Sequence, residues 1–577
     1  MSSLENNLWK LYILNWGANK SSLIFFYNLE NLYILLYYFK VVGVKVLKVN
    51  FFKYIFIIIV IVLIGFGVYT IYNQNKEKEI GYNQVQEVEQ QQMITNLRLG
   101  IHQYDTINPI LSQNKNIQFI DKLVFEPLMN INSDYSLTNC LAKECSKTGD
   151  TSYVIKLKDD VVWQDGSPLI AQDVKFTIDK LKEEGIESIY KDNVANISGL
   201  EVIDDKTIKI NLFSVQPFFE YNLIFPILSS KNYENEDFLN SSKIPTGTGM
   251  YKIDKLEGSF ISLIKNEQWW DKTKNSKIDT ITVNIYTSMG EVYNAFKIGN
   301  IDLIPTSNVN FKEYIGTIGF NVQEYKAREY DFIAINTQDD VLSKKEVRKA
   351  ITCGIDKSNI VSTVFDNNYY TCEYPLDYGN YLYNNDVSYN TYNPEYSQQV
   401  LEENGWTFRS KQWQKVENYK TLRTTFDLVV NSSNVRRVAV AETIKNQLAN
   451  IGIIINVRKV SDSQYRYYLE NKNYDMIIAG VDISAAPNLT RYFGENNLAN
   501  YHNDRAVELL NDTYTAKDEK TLREKYTELQ QIYMEDVPFV SLYRNREYVV
   551  YNTNLLGDQK PNWFNVFYNI ENWYRQN

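Results

Sequence analysis

The chain has two histidines, His102 and His502, and four cysteines in 577 residues. Neither H-E-x-x-H nor a Cys/His zinc spacing can be assembled from them, and G-x-S-x-G is absent, so a zinc enzyme or serine hydrolase would lack its basic parts. No catalytic residue, cofactor or metal is expected. Phosphate loops are missing too: Gly247 and Gly249 complete neither G-x-G-x-x-G nor G-x-x-x-x-G-K-[ST], and read as backbone glycines. Nor is there an excess of positive charge. Lys and Arg total 60 against 70 Asp and Glu, a formal net charge of −10, with no basic stripe, so no nucleic-acid partner is expected.

What is present is an ordinary globular composition, 44% hydrophobic and 23% charged, in a chain too long for one core, so several lobes are expected. Tyrosine is abundant, at 45. Its company of Asn, Ile and Lys reads as coding bias more than as a binding feature.

The strongest local signal is the uncharged stretch 54–75, whose core IFIIIVIVLIGFGVY is about long enough to cross a bilayer. Lys40, Lys45, Lys48 and Lys53 precede it without an intervening acid, whereas Lys76 and Lys78 are balanced by Glu77 and Glu79. The positive-inside rule therefore puts 1–50 in the cytoplasm, a single transmembrane helix at 51–72, and the remainder outside. No A-x-A cleavage site or L-x-x-C lipid box follows the run, so an uncleaved anchor is expected. The segment LENLYILLYYF carries Glu30 and Asn31 and makes a poor second span; a true start near Val44 or Leu47 would account for it. Residues 73–95, rich in Gln and Glu, read as a flexible stalk.

The body is organised around residues 153–182. Tyr153, Ile155 and Leu157 alternate as a half-buried strand does, Asp165-Gly166 supplies a tight turn, and Val174, Ile178 and Leu181 fall at i, i+4 and i+7 of a helix beginning near Ala171. Asp173 lies in the first turn, where the helix dipole favours a carboxylate. The run WQDGSPLIAQDVKFTIDKL closely resembles the signature of the extracytoplasmic solute-binding proteins of the peptide and nickel class, the receptors of ABC-type importers. Where that family places a hydroxyl before the helix this chain has Ile170, so the cap must come from elsewhere.

Further blocks resemble the family in the same order: Asn108-Pro109 and FEPL near the start, IPTGTGMY with QWWD, FKIGNID, the run DFIAINTQDDVLSKKEVRKAITCGID, and EDVPFVSLY before the end. Cys140 and Cys145 replace structural residues of the family pattern, and Arg348 is expected to be structural. The resemblance implies an α/β, two-lobed periplasmic-binding-protein-like fold with an inserted subdomain. Lobe one would comprise 96–132, 243–327 and 533–577, the insertion 133–242, and lobe two 328–532, with chain crossings near 327 and 532 as the hinge.

The resemblance also implies a small peptide ligand enclosed between the lobes and permease subunits of an ABC importer as partners. Peptide-binding relatives follow the strand matching residues 474–480 with W-x-x-D, whose acid pairs with the peptide amine. Here the segment is GVDISAAPN: Val481 replaces the Trp, Ser484 falls on the Asp, and Asp482 is the nearest carboxylate, two residues back and so on the same strand face. Gly480, Val481, Asp482 and Ser484, with Asn114 and Asn116 after the first strand, form the candidate ligand site. Asp482 could equally cap the loop that follows. His502 in ANYHND is a single side chain and does not make a nickel site. Cys140 with Cys145 and Cys353 with Cys372 are close enough in sequence to pair outside the cell, or to remain buried thiols. A membrane-tethered sensor or adaptor with the same fold is the rival to a transport receptor. Protease added to intact cells should release a fragment beginning in the stalk; a fully protected body would overturn this topology.

Overall fold

The computed structural model describes residues 94–576 except 242 and 517, together with a few helical positions between 59 and 70. The anchor expected at 51–72 and the stalk at 73–95 fall largely outside these residues; among the described residues no helix is long and apolar enough to cross a membrane.

The alternating run is a strand, Ser152–Leu157, with Tyr153, Ile155 and Leu157 buried. It is second in a four-stranded antiparallel sheet ordered Ala142–Gly149, Ser152–Leu157, Thr207–Leu212, Ile197–Asp204. The helix Ala171–Lys182 buries Val174, Ile178 and Leu181 against it. Its missing hydroxyl cap is replaced twice over. Ala171 N–H donates to the Asp205 carbonyl (2.7 Å), and the Asp173 carboxylate accepts the Ile170 N–H (3.0 Å). Asp173 also accepts Trp163 Nε1–H (3.0 Å) and the Ser230 amide and hydroxyl (2.8 and 2.7 Å), so this one carboxylate ties the helix, the turn before it and a distant loop together. This unit has its own core, which includes Trp163, Phe219 and Phe225.

The remainder is built on one sheet of eleven strands: β1 (Asn96–His102), β2 (Tyr251–Glu257), β3 (Phe260–Lys265), β4 (Thr280–Tyr286), β5 (Leu303–Thr306), β6 (Phe320–Ile335), β7 (Tyr369–Thr371), β8 (Thr425–Asn431), β9 (Ile454–Val460), β10 (Met476–Asp482) and β11 (Phe539–Asn552). The order is β9-β8-β10-β6-β11-β5-β1-β4-β3-β2, with β7 also pairing β11. Near β6 the strands are buried on both faces, so successive residues feed separate cores. Ile333 and Ile335 join Trp406, Trp413 and Ile444, while Tyr330, Phe332 and Ala334 join Tyr374, Tyr492 and Tyr533. At the other end, Leu97, Leu99 and Ile101 pack with Ile117, Ile120 and Leu123 of the helix Lys115–Val124. Gly247 belongs to this junction as a close approach, since a Cβ there would lie 1.9 Å from the Val124 carbonyl oxygen.

Two long strands, β6 and β11, run through both halves of the sheet. Their pairing is regular from Phe320↔Asn552 to Lys326↔Arg546, breaks over residues 327–329, and resumes at Tyr330↔Arg544. The first crossing therefore lies at 327–329. Opposite this break in β11 stand residues 544–546; residue 532 lies inside the helix Glu519–Asp536, whose Tyr526, Leu529 and Tyr533 are buried. Sequence could not separate the end of that helix from the midpoint of the strand after it.

All four cysteines are unbridged in this structure, Cys140 and Cys353 being buried. Burial pushes the Cys353 and Cys372 thiols up to about 11. Beyond the helix Lys115–Val124, Glu126 accepts Nε1–H from Trp269 (3.1 Å) and Trp270 (2.7 Å). Burial nonetheless pushes its carboxyl up to about 7. A carboxyl raised on folding stabilises fully below its unfolded pKa, near 4.5, and loses that contribution as pH climbs through 7. Stability measured by urea unfolding should therefore fall between pH 4.5 and 7 by more in the parent than in Glu126→Gln; identical slopes would show that folding leaves the titration of Glu126 unchanged.

Candidate functional site

Where β6 and β11 cross, the sheet opens into a cavity of about 1050 Å³. One wall is the helix Lys115–Val124 with the inserted subdomain's Tyr190, Asp192, Asn193 and Asn222; the opposite wall is Arg437 and residues 480–485; the floor is Ala327, Arg328, Glu329, Asn545 and Glu547, with Trp563 and Phe564 to one side. Of the six residues expected from sequence, Gly480, Val481, Asp482 and Ser484 line this cavity. Asn114 does not. Its side-chain oxygen accepts the Asn116 and Ile117 amides (3.0 and 3.4 Å), capping the helix Lys115–Val124, and its Nδ2 donates to the Gln103 carbonyl. Asn116 lines a second, adjoining cavity. His502 is exposed, its Nε2 2.8 Å from Asp504 Oδ1, and takes no part in the cleft lining.

Asp482 stands directly opposite Glu329 in the antiparallel pairing of β10 with β6. Opposed residues share a face, so two carboxylates lie side by side where the floor meets the wall of residues 480–485, an arrangement that destabilises the empty protein. Burial, and then the negative charges of Asp331 and Asp482, hold the Glu329 carboxyl above its usual range. Two of the nearby cations, Arg437 and Arg328, are held by other groups, while Lys122 also lines the cleft and the charge of Arg436 reaches Glu329. Arg437 donates from Nε and Nη2 to the two oxygens of Asp331 (2.8 and 2.6 Å), which also accepts the Tyr543 hydroxyl (3.0 Å); Arg437 Nη2 stays 4.0 Å from Glu329. Arg328 donates from Nε to the Ile483 carbonyl (3.1 Å) and lies over the Trp563 ring at 4.9 Å.

Gly480 is what lets the Arg437–Asp331 pair sit against the strand. A Cβ there would lie 1.8 Å from Arg437 Nη2 and 2.2 Å from Asp331 Oδ1. Glu329, Arg437, Glu547 and Trp563 were not among the residues picked from sequence. Glu329 had one legible signal: it lies beside the expected crossing at 327, two residues ahead of Asp331 in DFIAIN.

The model of bacterial extracellular solute-binding proteins, family 5, middle portion, matches residues 136–500. The chain belongs to this family. Its members are solute-binding proteins, and the two-lobed sheet with its inserted four-stranded unit is their fold. The oligopeptide-binding protein AppA of Bacillus subtilis is 24% identical over 479 residues, covering 79% of this chain and 87% of that protein. The nickel-binding periplasmic protein of Escherichia coli is 22% identical, covering 61% of this chain and 68% of that protein. The crystal structure of a nickel ABC transporter from Bacillus halodurans superposes with a TM-score of 0.68 at 19% identity, covering 81% of this chain and 97% of that one.

For this solute-binding protein, Gly480→Ala should force Arg437 off Asp331 and leave a largely buried carboxylate unpaired, costing about 2 kcal/mol or more of stability. Urea midpoints compare the two; an unchanged midpoint would mean that the guanidinium moves aside freely.

Proposed function

We propose that this protein captures peptides between its two lobes on the outer side of the membrane, held there by the apolar run at 51–72, and passes them to the permease subunits of an ABC importer. The observation that carries the ligand class is the opposed pair Glu329 and Asp482. Two neighbouring carboxylates, with Arg437 bonded to Asp331 and 4.0 Å from Glu329, favour a cationic ligand group, and a peptide α-ammonium is compact enough to meet both. The name of the Bacillus subtilis relative, an oligopeptide-binding protein, supports the same class. The cleft volume, about 1050 Å³, suits an extended ligand of several residues better than a single ion.

Closure would act through residues 327–329 and 544–546, ligand contacts with both lobes stabilising the closed form. Mass spectrometry of ligand released from the purified full chain tests the class. With a co-purifying peptide in hand, Asp482→Ala should weaken binding about thirtyfold or more, and Glu329→Gln should weaken it in the same direction. Affinity should also fall on acidification, because protonating Glu329, whose carboxyl is already raised, removes half of the attraction. A dissociation constant unchanged in both variants would refute the amine site.

A further inference from the structure

The cleft does not end at Glu547. Behind it lies a second cavity of about 500 Å³ that shares Lys115, Phe119 and Glu547 with the first. Its other walls come from Met289, Gly290, Tyr293, Tyr314 and Tyr325 with the loop 305–308, all on the same side of the crossing as β1, so its shape does not depend on the lobes closing. The surfaces are aromatic. Tyr293 and Tyr314 stack with ring centroids 5.1 Å apart and planes at 19°, and the Tyr293 hydroxyl is fixed 2.9 Å from Thr306 Oγ1. Tyr314 is half-exposed beside this opening, one face covered by Tyr293.

The two charged groups shared with the cleft, Lys115 and Glu547, neutralise each other. Glu547 is 9% exposed, and its Oε2 accepts both Lys115 Nζ (2.5 Å) and the Tyr325 hydroxyl (2.8 Å). Its Oε1 takes no hydrogen bond from any described residue. With Lys115 balancing the charge, this oxygen calls for a neutral donor more than for another cation. A flat ring bearing one N–H or O–H meets both requirements, the faces against tyrosine and phenylalanine and the donor on Glu547.

We propose that the side cavity takes a tryptophan or tyrosine side chain of the peptide ligand, its indole N–H or phenol O–H donated to Glu547 Oε1. This rests on the peptide reading above and adds to it a specificity for one aromatic residue some way along the chain from the amine at Glu329 and Asp482. Gly290 provides a plug: a Cβ there meets only Ser288 Oγ, at 3.7 Å, so Gly290→Phe can project into the cavity without displacing backbone. Tyr314→Ala removes a wall from the outside and leaves the cleft untouched.

The test titrates the full chain with alanine pentapeptides carrying one tryptophan at successive positions and with the all-alanine pentapeptide. The parent should bind one tryptophan position about tenfold to a hundredfold tighter than the all-alanine peptide. Gly290→Phe should abolish that gain while binding the all-alanine peptide as before, which also shows that it is folded, and Tyr314→Ala should lose most of it. Absence of a favoured tryptophan position in the parent, or a gain that survives in both variants, overturns the side-cavity assignment alone. Failure of the parent to bind any pentapeptide overturns the peptide reading and this assignment with it.

Discussion

The constraint on which the rest of the structure depends is that two strands, β6 and β11, serve both halves of the molecule. Between Lys326 and Tyr330 their ladder breaks, and the unpaired stretch is held by Arg544 instead. Arg544, 1% exposed, donates from Nε and Nη2 to the Ala327 carbonyl (3.1 and 2.6 Å) and from Nη1 to Asp377. Asp377 in turn accepts Lys326 (3.1 Å) and the Tyr135 hydroxyl of the inserted subdomain (2.6 Å). A buried guanidinium must be paired, and here its partners are drawn from the crossing strand, lobe two and, through Asp377, the insertion. The same break that frees the backbone to bend thus places a stiff polar junction beside the cleft.

The cleft follows from that break. Where the ladder is interrupted, Arg328 and Glu329 line the cavity, and the opposed end of β10 brings Asp482 alongside. The charges there fall into two groups. Arg437 with Asp331 and Lys115 with Glu547 are close pairs that shape walls, while Glu329 and Asp482 oppose each other with Arg437 no nearer than 4.0 Å to Glu329. Such a pair raises the energy of the empty site, and in the proposed function a bound ammonium would relieve it.

Several elements were legible in the chain because their physics is local. The strand of Tyr153, Ile155 and Leu157 and the helix starting at Ala171 are patterns of local period, and the structure places them where those patterns predict. Arg348 was expected to be structural, and it is buried with its guanidinium on the carbonyls of Leu342, Ser343, Asp536 and Val537. The departure at Ile170 was visible too, but not its remedy. Asp205 and Ser230 are remote from the helix start in sequence, and only the fold brings their groups to Asp173 and Ala171.

What the sequence alone determined is the family, the order of its elements and the segment 480–484 as a cleft wall, since each rests on residues a few positions apart. The tertiary structure alone decided the partners: Glu329 across from Asp482, Arg437 upon Gly480, Glu547 between two cavities, and Asn114 as a helix cap instead of a ligand group. It also showed that residue 532 lies within the helix Glu519–Asp536, a boundary that sequence does not mark because the end of that helix and the strand after it look equally apolar. Strand register and packing across a hundred or more residues carry no local signature, and the site is made of little else.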